Sequence, residues 1–436
     1  MNTNKIELLA PAGGMDALRA AVRFGANAVY LGGPMLQLRA GNTGFTLEGV
    51  REACEYAHAR NVRVYVAANA FTFPEEIPDM AEYAKRLKDA GADAMIVSDL
   101  GAIRAIKRAC PDMEVHVSTQ ANCTNHESAN IYYDLGASRV VLARELNLER
   151  ISEIRAKTPA GLELEAFVHG AMCMAYSGRC LLSTYLTGRS ANRGGCAQSC
   201  RWKFGLTEEK RPGQVFPIEE DASGTYILSS RDLNAMPLLD EILAAGVTSL
   251  KIEGRMKTAY YVATVVNAYR MRLDGADEGL CMEELSAVSH RPYTTGFYRD
   301  EAKRAPNAPE GYERTREYLA PVVGRDGDRI VCEVKNKLQE GREVELLHPG
   351  RAPVRFVARD LRGEDGAYTC VPAGRAGFRR GGAGTKVHDA RARGGRGGRL
   401  PSRGHLISRG SIQSMLCYSI KIQKTRCNNS RRNIVK

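Results

Sequence analysis

Four cysteines, Cys173, Cys180, Cys196 and Cys200, are crowded into 28 residues with spacings of C-x6-C, then fifteen intervening residues, then C-x3-C. Four thiolates are the ligand set of a tetrahedral zinc ion or of the four irons of a [4Fe–4S] cluster. Spacing alone does not choose the metal, although a structural zinc site would be better served by two tight C-x2-C knuckles, which this stretch lacks. Gly170, Gly178, Gly194 and Gly195 are interleaved with the cysteines. They let the backbone fold closely around the ligands and donate N–H groups to sulfur, where a cluster's potential is tuned. The competing reading, that two or more of these cysteines are merely small buried apolar groups, fits poorly with four in one loop.

The other eight of the twelve cysteines are scattered singly. The opening MNTNKIELLAPAGG has no basic stretch followed by a long apolar run, and no apolar segment approaches the ~18 residues of a membrane span. A cytoplasmic protein with no membrane contact, reduced thiols and metal ligation in place of disulfides is therefore expected. The net charge of +12 suggests nucleic acid until its distribution is read. Residues 389–436 hold 12 Lys and Arg against one acid, leaving 50 bases against 49 acids in the rest of the chain. Any basic footprint on the folded body must then be a local patch.

The elements that position the cysteines follow from periodicity. Over the first 270 or so residues, short β-branched runs alternate with amphipathic helical stretches, the pattern of parallel βαβ units. Gly25, Gly91, Gly136 and Gly246 each close a helical stretch before the next strand. No glycine-rich dinucleotide fingerprint follows the first strand, which favours a TIM-like (β/α) barrel over an open doubly wound sheet. Nine strand candidates compete for eight places, so residues 226–229 are expected outside the ring. In such a barrel the working residues stand where strands end. Polar groups recur there: Asn69, Asp99, Gln120, Arg144, Glu145, His169, Arg231, Asp232, Lys251, Glu253 and Arg255.

Beyond about residue 307, short alternating strands with glycine turns predict a small C-terminal β-barrel module. The expected organisation of this α/β protein is a barrel over residues 1–306 with a cysteine-rich insertion at 170–204, a small β-rich domain over 307–388, and a basic tail over 389–436. The tail has no consistent period and reads as a disordered arginine-glycine segment or an aberrant terminus.

Glu165, Phe167, Gly170, Ala171, Met172, Cys173, Gly178, Cys180, Leu182 and Ser183 fall in register with the signature of the collagenase-like peptidases of unclassified mechanism. The chain resembles that group, peptidase family U32, also in ELLAPAG, GANAVYLGG, SRDL, KIEGRMK and SHRPYTTGFY. The likeness covers roughly residues 5–300 well, the small β module more loosely, and the tail not at all. Some members are described as proteases, whereas others are iron–sulfur proteins that help hydroxylate RNA bases or the ubiquinone ring. The cysteine spacing and the CAQSCRW ending are similar to the branch that forms 5-hydroxyuridine at the tRNA wobble position in a prephenate-dependent way. The resemblance implies Cys173, Cys180, Cys196 and Cys200 as cluster ligands. Some relatives take a fourth ligand just after SRDL, where this chain has Asn234, and that absence favours Cys200.

Peptide hydrolysis needs an activated nucleophile or a metal-bound water. The chain has no G-x-S-x-G elbow, and HESAN at residues 126–130 lacks the second histidine of H-E-x-x-H. RNA hydroxylation needs cations for phosphates and for an acidic small molecule. The substrate-binding candidates are Arg39, Arg144, His169, Arg231, Lys251, Glu253 and Arg255. Arginine's planar fork suits a dicarboxylate such as prephenate, although each cation could instead pair with Glu145, Asp232 or Glu253 within the barrel. Trp202 and Phe204, beside Arg201 and Lys203, either stack a base or pack in the core. The reading is iron–sulfur-dependent hydroxylation of a tRNA uridine, with tRNA and an electron donor as partners. The alternatives are a collagenase-like peptidase and a zinc-stabilised RNA-binding protein.

Overall fold

The computed structural model describes residues 6–38, 44–173, 175–202, 220–221, 224–225, 230–299, 312–327, 329–363, 366–368, 370–371, 374–381 and 419–423. The first strand, β1 (Glu7–Ala12), reads ELLAPA and buries every residue after the first. A run covered on both faces is what a parallel strand beneath a layer of helices requires. It is followed by β2 (Ala28–Gly32), β3 (Arg63–Ala68), β4 (Ala94–Val97), β5 (Glu114–Val117), β6 (Arg139–Val141) and β7 (Glu163–Ala171). Each is parallel to the next, and Ser249–Ile252 pairs with both β7 and β1 to close an eight-stranded barrel.

Helices α1 (Met15–Arg23), α2 (Leu47–His58), α3 (Ile77–Asp89), α4 (Leu100–Ala109), α5 (His126–Asp134) and α6 (Leu148–Ala156) connect the strands. Thr46, Asp99, Asn125 and Asn147 each cap a helix, their side-chain oxygens accepting from the amide three residues on. Each such cap contributes about 1 kcal/mol. The helix-closing glycines adopt the left-handed conformation, as at Gly91 with φ 93° and Gly246 with φ 92°. No helix among the described residues is long and apolar enough to cross a membrane.

Where the strands begin, the barrel interior is ionic. Arg139, 2% exposed, donates to Glu7 at 2.5 Å, to Glu165 at 3.1 Å and to Glu163 at 2.6 Å. Lys251 Nζ donates to Glu165 Oε1 at 2.6 Å. Burial pushes the Glu165 carboxyl up, but Lys251 and Arg139 outweigh it and hold the group down at about 2.

One feature departs from a plain barrel. β7 is nine residues long and overruns the ring. Asp232–Asn234 runs antiparallel along this overhang, Leu233 opposite Gly170, and Tyr293–Thr294 pairs with it in turn. The ninth strand candidate, at 226–229, lies outside the described residues.

The chain divides into two compact units, Met1–Arg314 and Thr315–Lys436. In the second, Arg316–Asp326, Arg329–Val334, Gly374–Gly381, Arg351–Gly363, Glu343–His348 and Ser419–Gln423 pair around a closed antiparallel ring. Leu319, Cys332, Val334, Val344 and Phe356 are part of its core. Ser419–Gln423 corrects the expectation of a tail without period, because SIKIQ alternates polar residues with isoleucine at the two-residue repeat of a strand. The rest of the tail lies outside the described residues.

Candidate functional site

At the C-terminal ends of the barrel strands, β7 runs into Met172 and Cys173, and the following segment folds back over the mouth. Three contacts hold it there. Glu145, beyond β6, accepts from the Ser177 amide and from Ser177 Oγ, both at 2.9 Å. Gly178 has φ 73°, and a Cβ there would stand 2.1 Å from the Gln120 carbonyl oxygen, so only glycine permits this approach. On the far side Arg193 pairs with Glu76 at 2.7 Å and lies 4.0 Å over the Phe73 ring.

Inside the segment, Asn192 Nδ2 donates to the Cys180 carbonyl at 2.9 Å, and the Gln198 amide donates to Cys196 Sγ at 3.4 Å. Cys173, Cys180, Cys196 and Cys200 all line one cavity of about 410 Å³, together with Gln120, Arg144 and Glu145. Burial raises the Cys200 thiol pKa; Arg201 opposes this, and Cys173, Cys196 and Cys180 add to it, so all four sulfurs lie within electrostatic reach. Among the described residues, no group of three or more Cys, His, Asp or Glu side chains is gathered tightly enough to hold a single metal ion.

A smaller cavity of about 70 Å³ sits at the barrel mouth and adjoins the first through Thr119, Gln120 and Arg144. It brings Arg144, Lys251, Glu253 and Arg255 together. Arg144 donates to the Ala171 carbonyl at 2.9 Å and lies 3.9 Å over the Phe167 ring. Arg255 is buried and donates to Gln37 Oε1 at 3.1 Å, while Glu253 accepts from the Tyr30 hydroxyl at 3.3 Å. Lys251 reaches down to Glu165, so its charge is shared with the ionic layer below.

Two candidates stand elsewhere. His169 lines neither cavity: it is 1% exposed and is surrounded by Tyr261, Tyr269 and Tyr293, with ring centroids 5.4 to 6.1 Å away. The register of β7 against Ser249–Ile252 shifts here, Lys251 facing Phe167 but Ile252 facing His169. This bulge turns His169 out of the inward alternation that Glu165 and Phe167 follow. Burial lowers its pKa to about 3, keeping the ring neutral. Arg231 also lines neither cavity. Its neighbour Asp232 pairs with Arg291 at 2.7 Å, joining the SRDL and SHRPYTTGFY motifs in a buried ion pair. Arg39, Lys203 and Phe204 lie outside the described residues, and Trp202 is half-exposed. Asn234 is buried, with its side-chain oxygen accepting from the Met236 amide at 3.1 Å, whereas Cys200 lines the cysteine cavity.

Sequence reasoning missed Ser177, Asn192, Gln37 and Tyr30. Ser177 had one usable signal, its place between Cys173 and Cys180; the others had none, since their partners lie 12 to 223 residues away.

Over 385 residues the chain is 36% identical to tRNA hydroxylation protein P1 of Bacillus subtilis (strain 168), covering 84% of this chain and 88% of that protein. It is 36% identical over 418 residues to tRNA hydroxylation protein P of Escherichia coli (strain K12), covering 85% and 92%. A collagenase of Porphyromonas gingivalis (strain ATCC BAA-308 / W83) is 34% identical over 316 residues, covering 68% and 74%. Residues 13–307 match the peptidase family U32 domain and residues 314–371 its C-terminal domain. The chain belongs to peptidase family U32.

Proposed function

We propose that this protein hydroxylates a tRNA uridine at C5, with a [4Fe–4S] cluster held by Cys173, Cys180, Cys196 and Cys200 and with prephenate as an acidic co-substrate. The observation that carries the reading is that all four cysteines line one cavity adjoining a barrel mouth that contains two arginines. An all-sulfur donor set in a cavity of about 410 Å³ has room for a multi-atom cluster. The relatives named as tRNA hydroxylation proteins support the RNA substrate.

When bound, the cluster supplies one-electron transfer at a potential set by its surroundings. The chain's own groups do the rest. The Gln198 amide donates to Cys196 sulfur, stabilising negative charge there. Arg144 and Arg255 present guanidinium groups to carboxylates, and Gln37 and Glu253 hold this end of the barrel in place. The test is nucleoside analysis of tRNA from cells lacking the protein. Derivatives of 5-hydroxyuridine should disappear, return with the wild-type chain and stay absent with Cys173→Ala. Unchanged levels in the deletion strain overturn the assignment. Gelatin cleavage that survives Cys173→Ala would assign peptide hydrolysis instead.

A further inference from the structure

A third cavity, of about 450 Å³, lies alongside the cysteine cavity and shares Cys196, Gln198 and Arg201 with it. This volume is in the range of small-ligand sites. Beyond the shared wall it is lined by Arg189, Lys257, Met256 and Tyr312, with Glu253 at the side nearest the barrel mouth. Arg201 donates to Gln198 Oε1 at 2.9 Å, and Lys257 donates to the Ser289 carbonyl at 3.3 Å. Both therefore hydrogen-bond to neutral groups. Among the described residues, Arg189, Arg201 and Lys257 form no ion pair with a carboxylate.

The surroundings share this character. From Gly170 to Trp202 there are four arginines and no acid, in a body whose charges otherwise nearly balance. Large apolar side chains stand out to solvent on the same segment and beside the cavity, with Tyr185 87%, Tyr312 59% and Trp202 43% exposed. The Lys257 ammonium lies 5.3 Å from the centre of the Tyr312 ring. Cations interleaved with exposed aromatics are the surface that single-stranded nucleic acid selects, phosphates on the cations and bases on the rings. A base whose ring carbon is to react must also leave its stack, so its neighbours need holding.

We propose that this groove is a single-stranded RNA subsite, in which Arg189, Arg201 and Lys257 hold the phosphates flanking the target nucleotide and Tyr312 stacks the adjacent base. The inference rests on the RNA reading above and adds where, and in what conformation, the strand is gripped. The stacking role of Tyr312 calls for an unpaired loop, whose bases are free to reach the ring, over a continuous duplex.

The experiment is fluorescence anisotropy across a salt series with the full chain. The probes are a fluorescein-labelled, unmodified anticodon stem-loop and a fully paired duplex of equal length. Wild-type protein should prefer the stem-loop. The variant carrying both Arg189→Gln and Lys257→Gln should lower the slope of log K against log[salt] by about 1.4, since each single-strand phosphate contact contributes about 0.7. Tyr312→Ala should weaken stem-loop binding by about 5- to 160-fold, and Tyr312→Phe should restore it, because the ring and not the hydroxyl stacks. An unchanged slope in the double variant, with wild-type stem-loop binding intact, overturns the subsite alone, as does equal weakening of stem-loop and duplex. If the wild-type chain binds neither RNA, the underlying RNA reading falls with it.

Discussion

Glu145 governs how the cysteine segment sits. It is almost wholly buried and accepts from both the amide and the hydroxyl of Ser177, midway between Cys173 and Cys180. Hydrogen bonds to a charged acceptor contribute about 1.5–3 kcal/mol each. Glu145→Ala strands both donors, so the segment should loosen while the barrel stays folded. The expected outcome is a clear fall in iron per chain after desalting, with the main thermal transition in place; unchanged iron content would contradict it. Glu145 and the four cysteines were legible in the sequence, since residue type and strand-end position pointed to them. Gln37 and Tyr30 were not, because a hydrogen-bond partner is chosen by the fold. His169 shows the limit of strand-end reasoning: the position was right, but a one-residue bulge decided which way the ring faces.

At the scale of elements, the barrel's interior charges matter more to stability than to chemistry. Glu165 is fully buried and serves both Arg139 and Lys251. Glu165→Gln leaves two buried cations short of an anion and should cost about 3–5 kcal/mol near neutral pH, measured by urea unfolding. The sign of the pH effect follows from the folded-state carboxyl being lowered from 4.5 to about 2. Its contribution is fully present above 4.5 and lost as pH falls toward 2. The gap between wild type and variant should therefore narrow through that window, and a gap independent of pH would contradict the account. Strands, helix caps and closing glycines were legible because they are set by local pattern. The antiparallel Asp232–Asn234 strand was not, because it forms only where β7 overruns its neighbours.

Across the whole molecule, the division into a barrel unit and a β-rich unit was visible as a change of period, from helix-and-strand alternation to short strands with glycine turns. The structure divides the chain after Arg314. Global charge was a poor guide, because the excess lies in residues 389–436 and the local cationic surface beside the cysteines is hidden in a nearly neutral body. A strand within that basic stretch, Ser419–Gln423, was hard to read because its alternation lasts only five residues.

The proposed [4Fe–4S] cluster would occupy the cysteine cavity. Its presence is tested most directly by iron and acid-labile sulfide analysis, with an absorption spectrum, on the full chain purified without oxygen. The expected result is a brown protein with about four irons and four sulfides per chain, and their loss in Cys196→Ser. A colourless wild-type protein carrying zinc, with neither iron nor sulfide, would contradict it.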